Sequence, residues 1–418
     1  MWNRLEFIAK RLRERLWVRP LLLSLLSVAA AFVAKAADGI PVDGRIPEIA
    51  PDSIETLLAI TAGSMLVIAT LAVTSMVSAY ASASSTATPR AFSLLVADDL
   101  SQNALSTFLG AFIFTFVALV ALKNGYYDKN GLFVLFSMTV VVLAFVIVTF
   151  VRWVDWIARL GRIGTTVEKV AAAGAEAFRR NRGNRRLGGA PIPPGLDRGR
   201  PVHGDAIGYV QHVNIEALQD IAGRHGIRIS LQAVPGYFAA PGRPLACLHG
   251  EGDAPESIDV TGVASAFEIG EHRVFDDDPR FALVALSEIA CRALSPAVND
   301  PGTAIGIFGT FIRLFAIVAE PPDDDGDGSV RYDRVLVPEL SRDEMIDDAF
   351  RAIARDGAGI VEVQVRLQKT LRAIAAMPDE DLAAAARRQS RAALARAESA
   401  CSFEPDIERV REAAAWSS

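Results

Sequence analysis

Four long apolar stretches alternate with polar ones over the first 151 residues, and beyond them apolar positions recur at shorter, mixed spacing. Crossing a bilayer core takes about 20 mainly apolar residues, because a helix rises about 1.5 Å per residue. Residues 20–34, 57–80, 106–122 and 131–151 approach or meet that length, and the second stretch carries no charge. They predict a four-helix transmembrane region over residues 1–151.

Charge orients the spans. The N-terminal arm carries Arg4, Lys10, Arg11, Arg13, Arg15 and Arg19, and Arg152, Arg159, Arg162 and Lys169 follow the fourth span. Between the first two spans, Asp43, Glu48, Asp52 and Glu55 outnumber Arg45. Both termini are therefore expected in the cytoplasm, with the protein multi-pass in the cell inner membrane. Trp2, Trp17, Trp153 and Trp156 flank the inner ends, where indoles prefer the interface. Ala34-Lys35-Ala36 imitates a signal-peptidase site, but the long basic arm and the apolar flank at Trp17-Val18 favour an uncleaved anchor.

In the second span Thr70, Thr74, Ser78 and Ser82 recur every four residues, near one helical face. Such a stripe either packs against a neighbouring helix or lines a path for water and ions. Between spans two and three, Thr88-Pro89 has the form of a helix start, and Arg90, Asp98, Asp99 and Gln102 follow. This predicts a hairpin over residues 81–105 that projects inward and could gate a path. Its two aspartates have three readings: a solvated face, partners of Arg90, or an acidic ring in an oligomer. No ionisable residue occupies the middle of a span, which argues against a proton-driven carrier and leaves a channel open.

Residues 152–204 read as an exit helix and a linker rich in Arg, Gly and Pro. Residues 205–270 form a small β-rich module: 208–213 is strand-like, 215–225 helical, and 227–234 alternates as a half-buried strand does. Residues 271–418 are helical. The fold class is therefore predominantly α, a transmembrane four-helix region followed by a cytoplasmic α+β region with a helical C-terminal part. Asp278-Pro279 and Asp300-Pro301 are two copies of one device, an acidic cap before proline at the first helical position. Around the second copy, Glu288, Arg292, Ser295, Asn299, Asp300 and Thr303 either converge on a ligand or partner, or close a capping turn with an i,i+4 ion pair.

Composition excludes more than it proposes. A net charge of −6 over 418 residues, with both signs interleaved, gives no reason to expect nucleic acid. Cys247, Cys291 and Cys401 lack metal or disulfide spacing, and the five histidines never stand four apart. Asp276 to Asp278 beside His272 reads as a solvated helix start before it reads as a metal site. The acidic run at 323–327 lacks the glutamate that an EF-hand needs at its twelfth position. Nucleotide-loop, hydrolase-elbow and zinc-protease patterns are absent, so no cofactor and no enzyme activity are expected.

Thr88-Pro89-Arg90, Gly208-Tyr209-Val210-Gln211 and Gly236-Tyr237-Phe238 with Gly242-Arg243-Pro244-Leu245 carry a resemblance, as does Asp278-Pro279-Arg280-Phe281-Ala282. The longest signature runs from Ala290 to Ala304. On these residues the chain resembles the bacterial predicted membrane proteins classed as domain of unknown function 2254. That family usually reads Ser-Pro-Arg where this chain has Thr88. The resemblance implies a multi-pass inner-membrane protein and supplies no reaction. The expectation is a homo-oligomeric channel or passive transporter in the lipid bilayer, gated by its cytoplasmic domain, with the identity of any small-molecule or ion ligand left open. The alternative is a membrane-anchored sensor or scaffold, and a membrane-face enzyme comes third.

Overall fold

The computed structural model describes residues 18–39, 47, 49–86, 88–91, 94, 99–158, 162–196, 199–250, 258–320 and 330–417. The chain divides into two compact units, Met1–Thr166 and Val167–Ser418.

Helices α1 (Val18–Ala36), α2 (Pro51–Thr86), α3 (Asp99–Lys123) and α4 (Lys129–Ile157) build the first unit. Each is long and apolar enough to cross a membrane, and each covers one predicted span with additional turns at its ends. At 36 residues α2 extends about 54 Å, against a hydrocarbon core of about 30 Å. Helix α3 packs against α1, α2 and α4 and is the hub. Two buried clusters fill the bundle. Ile54, Leu58, Phe114, Ala118 and Leu135 occupy one end, and Met65, Phe108, Ala111, Val146 and Trp153 the other.

A polar latch closes one end of the bundle. Asp38, just past α1, accepts hydrogen bonds from the backbone N–H of Asp128 and of Gly131 and from Lys35 Nζ. It thereby caps α4, whose own N-cap residue Asp128 makes no side-chain cap bond. Only glycine fits at 131: a Cβ there would stand 2.8 Å from both Asp38 carboxylate oxygens. Tyr127 Oη donates to the Ala31 carbonyl and Lys123 pairs with Glu55, so loop, α1, α2 and α3 are cross-tied at this end.

In the second unit, α5 (Ile163–Gly183) crosses the boundary and packs Gly174 against Ala282 and Leu314. Strands β1 (Gly189–Ala190), β2 (Arg200–Val202), β3 (Gly208–Val213), β4 (Arg228–Leu231), β5 (Phe238–Ala239), β6 (Ala246–His249), β7 (Phe267–Gly270) and β8 (Tyr332–Leu336) form two sheets. Their orders are β1-β8-β4-β6-β2 and β5-β3-β7. The residues expected to be a linker thus supply β1 and β2, which gain partners from remote strands. Helices α6 (Ile215–His225) and α7 (Val260–Ala264) complete a strand–helix–strand–strand–strand–helix–strand order, from β3 to β7, that is split between the sheets. Asn214 caps α6, accepting from Ala217 N–H at 3.0 Å, and Gly226 ends it at φ +65. The module thus combines helices with both sheets, as the helical reading of 215–225 anticipates, and its larger sheet takes in β8 from beyond residue 270.

Helices α8 (Pro279–Ala293), α9 (Pro301–Ala319), α10 (Arg342–Asp356), α11 (Val361–Ala375), α12 (Glu380–Ala400) and α13 (Glu404–Ala414) form the remainder. Helix α9 is a fifth segment apolar enough to span a membrane. Its Phe308, Phe311 and Phe315 instead surround Phe350 of α10, with ring centroids 6.2, 5.0 and 6.2 Å away, and all four rings are fully buried. This helix is the centre of a protein core, which explains an apolar composition without a bilayer.

Candidate functional site

The hydroxyl stripe lies on the side of α2 that is exposed among the described residues. Thr70, Thr74, Ser78 and Ser82 are exposed, whereas Met65, Ala69, Ala72, Met76 and Tyr80 of the same helix are buried. Thr70 Oγ1 donates to the Leu66 carbonyl at 2.9 Å and Thr74 Oγ1 to the Thr70 carbonyl at 3.0 Å. Each hydroxyl hydrogen is used within the helix, leaving oxygen lone pairs facing outward.

The stripe belongs to a longer seam. Thr56, Ile60, Gly63, Val67, Thr70, Thr74, Val77 and Ala81 alternate steps of four and three, and all are exposed. A Cβ on Gly63 would meet nothing within 4 Å. The exposed surface of α2 also carries Leu66, Leu71 and Val73, and the outward faces of α1 and α4 carry Leu22, Leu25, Leu26, Phe32, Val141, Phe145 and Ile147. Small residues let helices approach closely, whereas large ones suit lipid contact.

The expected hairpin is only partly of the form the sequence suggested. Thr88-Pro89 opens a single 3-10 turn, Pro89–Ala91, in which Thr88 Oγ1 accepts from Arg90 N–H at 3.3 Å. Arg90 is exposed there. Asp99 opens α3, and Asp98 lies outside the described residues. Gln102, placed in the gating hairpin, is 1% exposed and turns into the bundle, whereas Leu100 and Asn103 of the same turn are exposed.

The Ser295–Thr303 segment closes on itself. Asp300 Oδ1 accepts from Thr303 N–H at 3.1 Å and its Oδ2 from Thr303 Oγ1 at 2.6 Å. Those two bonds hold the carboxyl below its ordinary range. Ser295 Oγ donates to the Arg292 carbonyl, Asn299 N–H to the Ser295 carbonyl and Asp300 N–H to the Ala293 carbonyl. Asn299 takes φ +52, a conformation Asn tolerates. The amides an anion would need are used for capping, so the six residues do not converge on one pocket. Glu288 faces elsewhere, into an open groove of about 540 Å³ with Cys291, Asp347, Asp348, Arg351 and Arg355. Burial and then the Asp356 carboxylate push the Cys291 thiol up to about 12, which makes it a poor nucleophile.

The other Asp-Pro copy behaves differently. Asp278 makes no side-chain cap bond; it turns inward to Arg273, with Nε at 2.6 Å and Nη2 at 2.9 Å. The Arg273 guanidinium also stands 5.2 Å from the Phe281 ring centroid. Burial raises the Asp278 carboxyl although Arg273 opposes it. Gly236, at φ +91, lies against the Asp278 carboxylate, where no Cβ would fit, and this gives Gly236-Tyr237-Phe238 its glycine. Next door, Asp277 Oδ2 stands 2.7 Å from His212 Nδ1, and this bond raises the imidazole. Arg180 of α5 reaches the Asp276 carbonyl at 2.9 Å. The three aspartates thus serve three different protein groups, and no metal-binding cluster of three ligands exists among the described residues. Sequence reading also missed Ser230 on β4, which is buried rather than alternating outward because its Oγ stands 2.8 Å from His249 Nε2 on β6.

Uncharacterized proteins of Mycobacterium bovis and Mycobacterium tuberculosis are each 31% identical over 132 residues, 30% of this chain. The aligned part is 24% of each relative, so the match spans about a quarter of their length. No solved structure matches the chain. A family model described as "Predicted membrane protein (DUF2254)" matches residues 13–373, and the chain, with four apolar helices leading into an α+β unit, belongs to that family.

Proposed function

We propose that the protein is a homo-oligomeric channel or passive transporter of the bacterial inner membrane, gated by a cytoplasmic second unit, with both termini inside. The observation that carries this reading is the outward direction of Thr70, Thr74, Ser78 and Ser82. The interior of one chain is filled by Ile54, Leu58, Phe108, Phe114 and Leu135, so a polar path has to run between copies. The four-three seam of small and β-branched residues supplies a surface on which copies of α2 would meet, with hydroxyl oxygens beside the path.

In a background without the three native cysteines, Thr74→Cys is expected to form crosslinked dimers or higher species in the membrane, and Leu26→Cys on α1 is not. Purified protein in liposomes is expected to pass ions or small solutes, and Thr70→Leu with Thr74→Leu to reduce that flux. Absence of flux under every ionic condition, or monomers only, would sink the channel. Monomers would favour the second reading, a membrane-anchored sensor or scaffold. The back-bonded hydroxyls of Thr70 and Thr74 are what support that alternative, because they let this part of the stripe face lipid without an unsatisfied donor.

A further inference from the structure

A cleft of about 90 Å³ lies within the second unit, between the end of α5 with its following turn and the wall made by α9, the segment after β8 and α10. Phe178, Leu187, Val234, Val318 and Met345 give it an apolar lining. Two ion pairs cross its rim. Arg182 pairs with Glu320, and Arg186 Nη2 stands 3.2 Å from Glu339 Oε2. Both guanidiniums come from the α5 side and both carboxylates from the opposite wall.

The backbone on the α5 side is strained. Arg186 and Leu187 adopt φ +52 and +55, and Gly188 follows at +78. Two consecutive non-glycine residues in the left-handed region are rare, and such strain persists only where the surroundings enforce it. Leu187 N–H donates to the Asn184 carbonyl, and Arg331 N–H to that of Gly188, each at 3.0 Å. The turn so fixed supplies both Leu187 and Arg186 to the cleft. Strain that presents one apolar and one cationic side chain to the same cavity is an arrangement suited to an amphipathic anion.

We propose that this cleft binds a short aliphatic carboxylate, whose chain lies on the apolar lining and whose oxygens replace Glu320 and Glu339 on Arg182 and Arg186. The glutamates are about half exposed, so the rim pairs are weak and exchange for another carboxylate at little electrostatic cost. Each planar guanidinium offers a fork matched to carboxylate oxygens. The gain comes from removing the ligand's chain from water, which is why an apolar tail and an anionic head are both required. Phosphate dianions suit the rim poorly, because Asp277 joins the two glutamates there. All of its lining residues belong to the second unit, so its test does not depend on conduction.

The experiment titrates full-length protein in nanodiscs with pentanoate, pentanol and pentylamine, followed by ligand-observed NMR and calorimetry. Pentanoate is expected to saturate at millimolar concentration or below, and the alcohol and the amine are not. Arg186→Met is expected to weaken binding about tenfold, the loss of one charge-assisted contact. Val318→Trp fills the cleft and is expected to abolish binding while hydrogen exchange of the second unit stays unchanged. The decisive variant is Glu320→Gln with Glu339→Gln. It removes the internal competitors and is expected to tighten binding several-fold, the opposite of what damage to the fold would do. Lack of saturation by about 10 mM, equal binding of pentylamine, or no tightening in the double glutamine variant would overturn the proposal.

Discussion

Replacing Arg273 by Met isolates a buried charge. In the native protein Asp278 is 2% exposed and its carboxylate is held by two guanidinium bonds, so methionine leaves the packing volume but no counter-charge. Breaking one side of a buried pair costs about 3–5 kcal/mol, because the remaining charge must stay dry or take up a proton. The contact of the guanidinium with the Phe281 ring adds about 1 kcal/mol to the loss. The sign of the pH dependence follows from Asp278, whose carboxyl already titrates above its ordinary range because of burial. Between the unfolded and folded values the native state binds more protons than the unfolded state, so stability falls as pH rises through that interval. Removing Arg273 extends the interval upward. The deficit of the variant is therefore expected to be larger at pH 8 than at pH 5. Asp278→Asn in the Arg273→Met background is expected to recover part of it, since an amide carries no charge. Hydrogen exchange of α8 under increasing urea reads the stability of the second unit in the full chain. A deficit under about 1 kcal/mol, or one independent of pH, would refute the claim that Asp278 is a paired buried anion.

Asp277→Asn is expected to lower the titration midpoint of His212, read from its imidazole NMR shifts, because the direct bond is the main cause that raises it. The stabilisation that this pair provides is fully present below the unfolded histidine value of about 6.5 and is lost as pH rises through the folded one. Cys291 is expected to resist iodoacetamide at pH 8 in the folded protein, and Asp356→Asn to speed its alkylation, as mass spectrometry would show. Gly131→Ala is expected to displace the Asp38 carboxylate and to destabilise the first unit by about 1–2 kcal/mol, the usual cost of a lost cap. Asp38→Ala is expected to match it, and the double variant to cost no more than either change alone when thermal unfolding is measured in one detergent.

The parts of the fold legible in the sequence are those set by local pattern. Length and hydropathy located the spans, and Asn214, Gly226 and Asp300 act at the helix ends where their chemistry places them. Pattern alone does not separate α9 from a membrane span, because an apolar helix has the same composition whether phenylalanines or lipid surround it. The two Asp-Pro copies show a second limit. Both aspartates stand at the N-cap, yet Arg273, five residues before Asp278, draws that carboxylate inward while Asp300 has no such competitor and caps. The sheet was hidden for a third reason. Strands of two or three residues carry little periodicity, and β1 is specified by a parallel partner far along the chain. The hydroxyl stripe was visible as a spacing, but its direction depended on which face α3 covers.

The position of β8 between β1 and β4 in the larger sheet sets an order of events during synthesis. Among the described residues β1 pairs with β8 alone, and β4 keeps an open parallel edge until β8 arrives. About 140 residues separate β1 from β8, so at about 5–20 residues per second the ribosome leaves these edges unpaired for about 7–30 seconds. The membrane spans precede all of this and are made first. A newborn chain therefore already carries its membrane spans during the interval when its strand edges are bare and open to pairing with another chain.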